Sequence, residues 1–316
     1  GSHRLELSRL GWRLSIRGKG RRWRLARGAV RLWGVTEPGP LDKLLHRLTL
    51  EQLDADLFLG HPGNGRGRLF GGMVAAQSVV AASRTVAEGE IHSLHAYFLR
   101  PGRHGVPIQF VVHRIRDGRT YTTRRVVAHQ GGEAIFCLEA SYTKPEEGIS
   151  HQDPMPEVPP PDGLPPWDLV RADRRENAEK LVEDFPIDIR ACDPDSASST
   201  EPQPAFRQVW MKPKGVLPED PVIHAAVYVY ASDRGMLSTV SRMHGIQRSR
   251  TASASLDHSM WFHRPPRWDD WVLYTTSSHA AHNARALIFG TMYRRSGELL
   301  ISTAQEGLFR SGLPNP

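Results

Sequence analysis

The sequence predicts an α+β protein built from two tandem repeats, each a helix followed by several antiparallel strands. Two segments, 41–144 and 205–312, present apolar and alternating runs in the same order. The tetrapeptide FLRP at 98–101 returns as FHRP at 262–265, 164 residues later. A constant offset between similar segments indicates a duplicated unit. Alternation of apolar and polar residues within the runs indicates strands with one buried face.

The first repeat opens with an apolar stretch of small residues, LFGGMVAAQSVVAAS at 69–83, which predicts a helix. Four runs with the alternating pattern of strands follow it. They lie at 93–101, 107–116, 120–129 and 134–142.

The second repeat has the same order of segments but a different start. The run VIHAAVYVYAS at 222–232 is typical of a short strand, and a helix is predicted from Asp233 onward. Valine and tyrosine favour strands, which is the basis of that interpretation. Four further strands are predicted at 255–265, 271–277, 285–295 and 298–307.

Two other segments flank the repeats. Residues 145–204 contain twelve of the 24 prolines around one helical stretch at 167–185, which is typical of a connector. Residues 1–40 form a basic leader, in which positions 4–33 hold ten Lys or Arg and one acidic residue. Glycines interrupt any long amphipathic helix there, so we expect this leader to be poorly ordered or peripheral.

The positive charge of the chain is concentrated in that leader. The formal net charge is +7, yet the rest of the chain carries 31 basic against 33 acidic residues. We therefore expect no nucleic-acid partner, and membrane contact only if the leader supplies it. No apolar run is long enough to span a bilayer, and Cys137 and Cys192 have no CxxC partner. These observations predict a cytoplasmic protein without a disulfide framework or a thiolate metal site.

The helix predicted at 69–83 is thin enough to be surrounded by a sheet. Six of its residues are small, namely Gly71, Gly72, Ala75, Ala76, Ala81 and Ala82. Its larger apolar side chains, Phe70, Met73, Val74 and Val80, supply surface for burial. A curved antiparallel sheet around one central helix is the hotdog arrangement. The tandem repeat therefore predicts a double hotdog.

Five short segments of the chain carry a family resemblance. They are RLFGGMVAAQ and SLHAYFLRPG in the first repeat, and YVYASD, SLDHSMWFHRP and STAQEGLFR in the second. In order and spacing they resemble the type II acyl-CoA thioesterases, double-hotdog enzymes of bacteria and peroxisomes, over residues 45–312. The resemblance implies hydrolysis of fatty acyl-CoA to free fatty acid and CoA by a directly activated water, without an acyl-enzyme. It also implies a homo-oligomer, either a dimer or a tetramer.

The resemblance further implies three catalytic residues. Asp233 in YASD matches an Asp that opens the second central helix, and Ser255 in SLDH takes a position where some members have Thr. Gln305 in AQEG matches a Gln near the end of the last strand. The run DHSMWFH at 257–263 is then the strand that positions Ser255, and His258 is interpreted as a hydrogen-bonded structural histidine.

These residue types suit thioester hydrolysis. A thioester expels a thiolate whose conjugate acid has a pKa of about 8.5, so a base and an oxyanion stabiliser are enough. Asp233 can accept the proton of the water, Ser255 and Gln305 can orient it, and a helix N-terminus can stabilise the oxyanion. No metal or cofactor is expected, because coenzyme A is part of the substrate. Predicted substrate-binding residues are Gly71, Gly72, Arg66, Arg68 and Arg100, the arginines as ligands of the CoA phosphates.

The two repeats are predicted to be catalytically unequal. At an offset of 165 residues Asp233 corresponds to Arg68 and Gln305 to Ala140, so the first repeat lacks the base and one water ligand. An alternative function on the same fold is a non-catalytic acyl-CoA sensor. A hotdog enoyl-CoA hydratase would place a His a few residues after the Asp, where Ser238 stands. A serine hydrolase would show a GxSxG motif, which the sequence lacks.

Overall fold

The computed structural model describes residues 38–65, 67–170, 178–199, 201–244 and 251–311. Most of the predicted leader lies outside these residues. The first element is helix α1 (Pro40–Leu48), which begins where the backbone N–H of Gly39 donates to Asp42 Oδ2 at 3.0 Å. One face of α1 is buried, through Leu41, Leu44 and Leu48.

The first repeat surrounds helix α2 (Gly71–Ser83) with a sheet. All residues of α2 from Gly72 to Ala82 are buried, which confirms the helix predicted at 69–83 as a central one. The four predicted strands are also present, preceded by two short strands that the sequence did not reveal. The strands are β1 (Glu51–Asp54), β2 (Leu57–Gly60), β3 (Glu90–Phe98), β4 (Ile108–Asp117), β5 (Tyr121–Gln130) and β6 (Glu133–Thr143).

The segment between the repeats contains more regular structure than the single predicted helix. Its described elements are α3 (Trp167–Val170), α4 (Ala178–Asp184), β7 (Ile187–Ala191) and α5 (Pro194–Ser198). The tryptophan and the aspartate at the start of α3, Trp167 and Asp168, are both buried. None of the described helices is both long and apolar enough to cross a membrane.

The central helix of the second repeat is α6 (Pro221–Ser232), preceded by strand β8 (Phe206–Pro213). The prediction of a strand at 222–232 is therefore wrong. Asp220 caps α6 by accepting the Val222 N–H at 2.9 Å, and Pro221 takes the first helical position. Asp233 follows the end of α6 and does not open a helix, which also corrects the prediction.

The rest of the second repeat is one more helix and five strands. Helix α7 (Met236–Met243) follows α6 after a short turn. The strands are β9 (Thr251–Ser255), β10 (Asp257–Phe262), β11 (Val272–His282), β12 (Arg285–Arg294) and β13 (Leu299–Ser311).

Within the described residues the strands form one continuous antiparallel sheet. Their order is β1-β2-β4-β5-β6-β3-β10-β13-β12-β11-β8-β7, and β9 also pairs with β13. The two repeats meet where β3 pairs with β10. His95 lies opposite Ser259, and the pairs on either side are symmetric about them. The sheet curves around α2 and α6, which pack against each other, so the fold is the predicted double hotdog.

This symmetry tests the two predicted correspondences between the repeats: it confirms the one for Gln305 and corrects the one for Asp233. Ala140 lies opposite Leu94 in the first repeat, as Gln305 lies beside His258 in the second, so Gln305 and Ala140 do correspond. The helices follow a different offset, because α7 lengthens the connection from α6 to β10. The residue directly after α2 is Arg84, which is therefore the counterpart of Asp233 in place of Arg68.

Candidate active site

The turn after α6 directs an acidic side chain toward α2. Gly235, the residue just before α7, has a φ of 88°, a conformation that glycine adopts without strain. Asp233, two residues earlier, accepts the backbone N–H of Gly72 on its Oδ2 at 2.9 Å. The carboxylate therefore lies at the N-terminus of α2, where the positive end of the helix dipole favours negative charge.

Two glycines allow this close approach. A Cβ on Gly71 would lie 2.5 Å from the Phe98 ring and 3.1 Å from Asp233 Oδ2. A Cβ on Gly72 would lie 2.6 Å from the Tyr230 carbonyl oxygen. Larger residues at these positions would separate α2 from α6 or displace the carboxylate. Both glycines therefore permit the close approach of α2 to Asp233 and α6, while their predicted role in substrate binding stays a prediction.

The structure brings the three predicted catalytic side chains into direct contact. Ser255, the last residue of β9, donates its hydroxyl to Asp233 Oδ1 at 3.2 Å. Gln305, in β13, donates from Nε2 to the Ser255 oxygen at 2.8 Å. Asp233 thus has a hydrogen-bond donor on each of its oxygens. The order of the contacts is Gln305, Ser255, Asp233 and Gly72.

His258 extends this set of contacts into the protein interior. The ring is buried in β10, with Nδ1 2.7 Å from Gln305 Oε1 and Nε2 2.8 Å from the Ser232 hydroxyl. Burial lowers the pKa of His258, although the charge of Asp233, the hydrogen bond to Gln305 and the charge of Asp257 oppose that shift. The imidazole is therefore held in its neutral form.

A cavity of about 400 Å³ opens beside Asp233 and Ser255. Its walls are largely apolar, with side chains from both repeats that include Leu69, Phe70, Val74, Phe98, Phe136 and Leu237. Gly71, the first residue of α2, also lines it. An apolar cleft with a few convergent polar groups is typical of a small-molecule site.

The segment between the repeats supplies one wall of that cavity. Arg234, next to Asp233, places Nη2 at 2.8 and 2.7 Å from the two carboxylate oxygens of Asp168 in α3. Its guanidinium lies 5.7 Å from the ring centre of Trp167 and 4.7 Å from that of Phe185. Trp167 and Arg234 both line the cavity. The segment between the repeats thus holds Arg234, the residue next to Asp233, in place.

The predicted phosphate-binding arginines lie at the rim or outside the described residues. Arg68 and Arg100 are exposed and line the cavity. Arg100 also donates to the Ala134 carbonyl at 2.7 Å. Arg66 lies outside the described residues. Within the described part of the chain, no group of three or more His, Cys, Asp or Glu could hold a metal ion.

Family models match both repeats. A model described as acyl-CoA thioesterase matches residues 191–308, and one described as acyl-CoA thioesterase N-terminal domain matches residues 61–144. Acyl-coenzyme A thioesterase 8 of Mus musculus is 36% identical over 281 residues, which are 83% of this chain and 87% of that protein. A crystal structure of acyl-CoA thioesterase II TesB2 from Mycobacterium marinum is 40% identical, with a TM-score of 0.72. The match covers 85% of this chain and 97% of the M. marinum chain.

The chain belongs to the type II acyl-CoA thioesterase family. It is accordingly a thioester hydrolase. The fold has support at lower identity as well. A protein described as having a hot dog fold, from Alicyclobacillus acidocaldarius, matches with a TM-score of 0.71 at 20% identity, covering 86% of this chain and 99% of its own.

For this thioesterase the sequence predicted a hydrogen-bonded structural role for His258 but not its partners, and it gave no role to Asp168 or Trp167. His258 lies in the quoted DHSMWFH strand, but only the pairing of β10 with β13 shows that it contacts Gln305. Asp168 and Trp167 lie in the proline-rich segment, and no motif linked them to the turn at Asp233. The available signal was the WD dipeptide within a polar, proline-rich surrounding.

Proposed function

We propose that this thioesterase hydrolyses fatty acyl-CoA to free fatty acid and CoA with a water activated by Asp233, Ser255 and Gln305. The observation that carries the proposal is the continuous contact of these side chains beside an apolar cavity of about 400 Å³. Such a cavity suits an acyl chain. The carboxylate supplies the base that attack by water requires.

In the proposed reaction a water lies in the cavity beside Asp233 and Ser255, both of which line it. It gives a proton to the Asp233 carboxylate as its oxygen attacks the thioester carbonyl carbon. The C–S bond then breaks, and the thiolate takes that proton to leave as CoA. Because the thiol pKa is about 8.5, departure needs no strong general acid. Gln305 contributes by holding the Ser255 hydroxyl at 2.8 Å.

The start of α2 is the proposed oxyanion site. Gly71 lines the cavity, and Gly72 donates its N–H to Asp233 at 2.9 Å. The first N–H groups of a helix point away from it and have no partner within it. The Gly72 N–H is taken by Asp233, and the Met73 N–H donates to the Phe70 carbonyl at 3.1 Å. The group proposed to stabilise the negative charge on the carbonyl oxygen is therefore the backbone N–H of Gly71, together with the helix dipole.

An acyl-CoA panel from short to long chains tests the activity, with released CoA detected by a thiol reagent. We expect turnover with fatty acyl-CoA and equimolar free acid and CoA. The alternative, a non-catalytic acyl-CoA sensor, predicts saturable binding of the same ligands without thiol release. Binding without release across the panel would overturn the proposal.

Replacing Ser255 with Ala should lower kcat about 10–100-fold, because the change removes one hydrogen bond to a charged group. The fold should persist, since only one oxygen atom is lost. The measurement is steady-state kinetics on one good acyl-CoA, with circular dichroism as a check on folding. Ser259→Ala, on the exposed side of β10 beside His95, is the matched control and should behave as wild type. Unchanged kcat for Ser255→Ala would remove this residue from the proposed set.

Neutralising the two arginines at the rim should weaken substrate binding without changing the chemical step. Arg68→Ala and Arg100→Ala should each raise KM for acyl-CoA about 5-fold, with kcat unchanged, because exposed ion pairs contribute about 1 kcal/mol. The control is Arg125→Ala, which removes an exposed arginine of β5 that pairs with Glu139 of β6. An unchanged KM in both rim variants would exclude them as phosphate ligands.

Two further parts of the proposal concern the setting of the enzyme. We place it in the cytoplasm, since both cysteines of the chain are free, as expected in a reducing compartment. We also propose a homo-oligomer, either a dimer or a tetramer, which light scattering of the full chain would test.

A further inference from the structure

The contacts around Ser255 have a fixed direction that begins at Asp233. An ionised carboxylate only accepts hydrogen bonds, so the Ser255 hydroxyl at 3.2 Å must donate to it. Ser255 has a single hydrogen, so its oxygen can only accept from Gln305. Gln305 must then present its amide nitrogen to Ser255, as observed at 2.8 Å.

That orientation of Gln305 assigns a role to the neighbouring histidine. With Nε2 directed at Ser255, the Gln305 Oε1 faces His258 Nδ1 at 2.7 Å. An amide oxygen accepts, so Nδ1 must carry the hydrogen. A neutral ring has one N–H, which leaves Nε2 to accept from the Ser232 hydroxyl at 2.8 Å. The Ser232 hydroxyl also lies 3.0 Å from the Val229 carbonyl oxygen, so it does not by itself fix the tautomer. The tautomer follows from the sequence of donors that begins at Asp233.

Without the donor on His258, the Gln305 amide is free to turn over. Its oxygen would then face Ser255 and accept the serine hydrogen, so Asp233 would lose its donor at Oδ1. The first repeat has no such hydrogen-bonded pair at the matching positions. At the register of His258 and Gln305 it has Leu94 opposite Ala140, a pair with no polar side-chain atom.

We propose that His258 is a positioning residue of the thioesterase reaction: its Nδ1–H fixes the Gln305 amide, which fixes the Ser255 hydroxyl toward Asp233. His258 does not touch the reacting atoms, since it is buried and acts through Gln305. The inference rests on the proposed function, because it assigns a purpose to the same hydrogen-bonded set.

Two substitutions separate the two ring nitrogens. The amide nitrogen of His258→Asn occupies the place of Nδ1 and can donate to Gln305. The amide of His258→Gln reaches the place of Nε2 and leaves Gln305 without that donor. We expect His258→Asn to keep kcat within about 3-fold, and His258→Gln to lower it at least about 10-fold with KM within about 2-fold.

The experiment uses the full chain with one good acyl-CoA, and it includes melting curves for each variant. His95→Gln, which alters an exposed histidine of β3, is the control for the substitution itself. Asp233→Asn is measured alongside. If His258→Gln fails to fold, His258→Leu replaces it with the same expected loss, since leucine stands at the matching register of the first repeat.

The outcomes separate the inference from the proposed function. Loss of kcat in His258→Gln with recovery in His258→Asn supports the inference. Equal losses in both variants would show a role in stability alone and overturn it. Wild-type kcat in both, with inactive Asp233→Asn, would overturn the inference and leave the proposed function intact. Wild-type turnover in a folded Asp233→Asn enzyme would overturn both.

Discussion

Asp233→Asn is expected to lower kcat by about 10²–10⁴-fold, the usual contribution of a positioned general base. Asparagine has the shape of aspartate, and its amide oxygen can still accept the Gly72 N–H, now at 2.9 Å from Oδ2. The neutral amide cannot take a proton from water. KM should change little, because the carboxylate contacts the water and not the acyl chain. Steady-state kinetics with thiol detection measures the loss.

The control for this substitution comes from the other repeat. Arg84 directly follows α2, as Asp233 follows α6, and it pairs with Asp220 at 2.7 Å on the surface. Arg84→Ala should retain wild-type kcat, and solvent screening limits its effect on stability to about 1 kcal/mol. A folded Asp233→Asn enzyme with wild-type turnover would exclude Asp233 as the base.

The sequence predicted eight strands of the two repeats, because a sheet with one buried face imposes alternation on its residues. The short strands β1, β2, β8 and β9 were not among them. Each run quoted in the second half from 255 onward became a strand. The correspondence of Gln305 with Ala140 also held, since strand register within each repeat is the same. The residue offset between matching strands of the two repeats therefore identified corresponding residues correctly.

The central helix of the second repeat could not be recognised from its pattern. A helix buried on every side has no polar face, so its apolar residues show no helical period. The remaining signal in 222–232 was composition, and its valines and tyrosines favour strands. The same burial makes α6 a helix nonetheless, since within the curled sheet only a helix satisfies its own backbone groups.

The contacts that support the site could not be predicted from the sequence, for a different reason. His258, Gln305 and Ser232 are distant in sequence, and their contacts depend on which strands and helices become neighbours. The family resemblance supplied Asp233, Ser255 and Gln305 as a set. It did not supply the direction of the hydrogen bonds between them, which follows from side-chain geometry.

Asp168→Ala is expected to destabilise the fold by about 3 kcal/mol, because it leaves the largely buried Arg234 without its carboxylate. The side chains of Asp168 and Arg234 are 4% and 14% exposed, and their ion pair is 2.7 Å long. Arg234 adjoins Asp233, so the loss should also loosen the turn that holds the base and lower kcat. Urea unfolding measures the free energy, and kinetics on the folded protein measures the turnover.

Two further variants test whether burial makes the Asp168–Arg234 ion pair more important for stability than an exposed ion pair. Asp56→Ala breaks the Arg114–Asp56 pair, which is 2.8 Å long but has side chains 45% and 40% exposed, and it should cost about 1 kcal/mol at most. The double change Asp168→Leu with Arg234→Met should recover much of the stability, since apolar residues can replace a buried pair without leaving an unpaired charge. Because the cavity wall at Arg234 would remain filled, turnover should recover in parallel with stability. An Asp168→Ala protein as stable as Asp56→Ala would show that the connector does not anchor the turn at Asp233 through this pair.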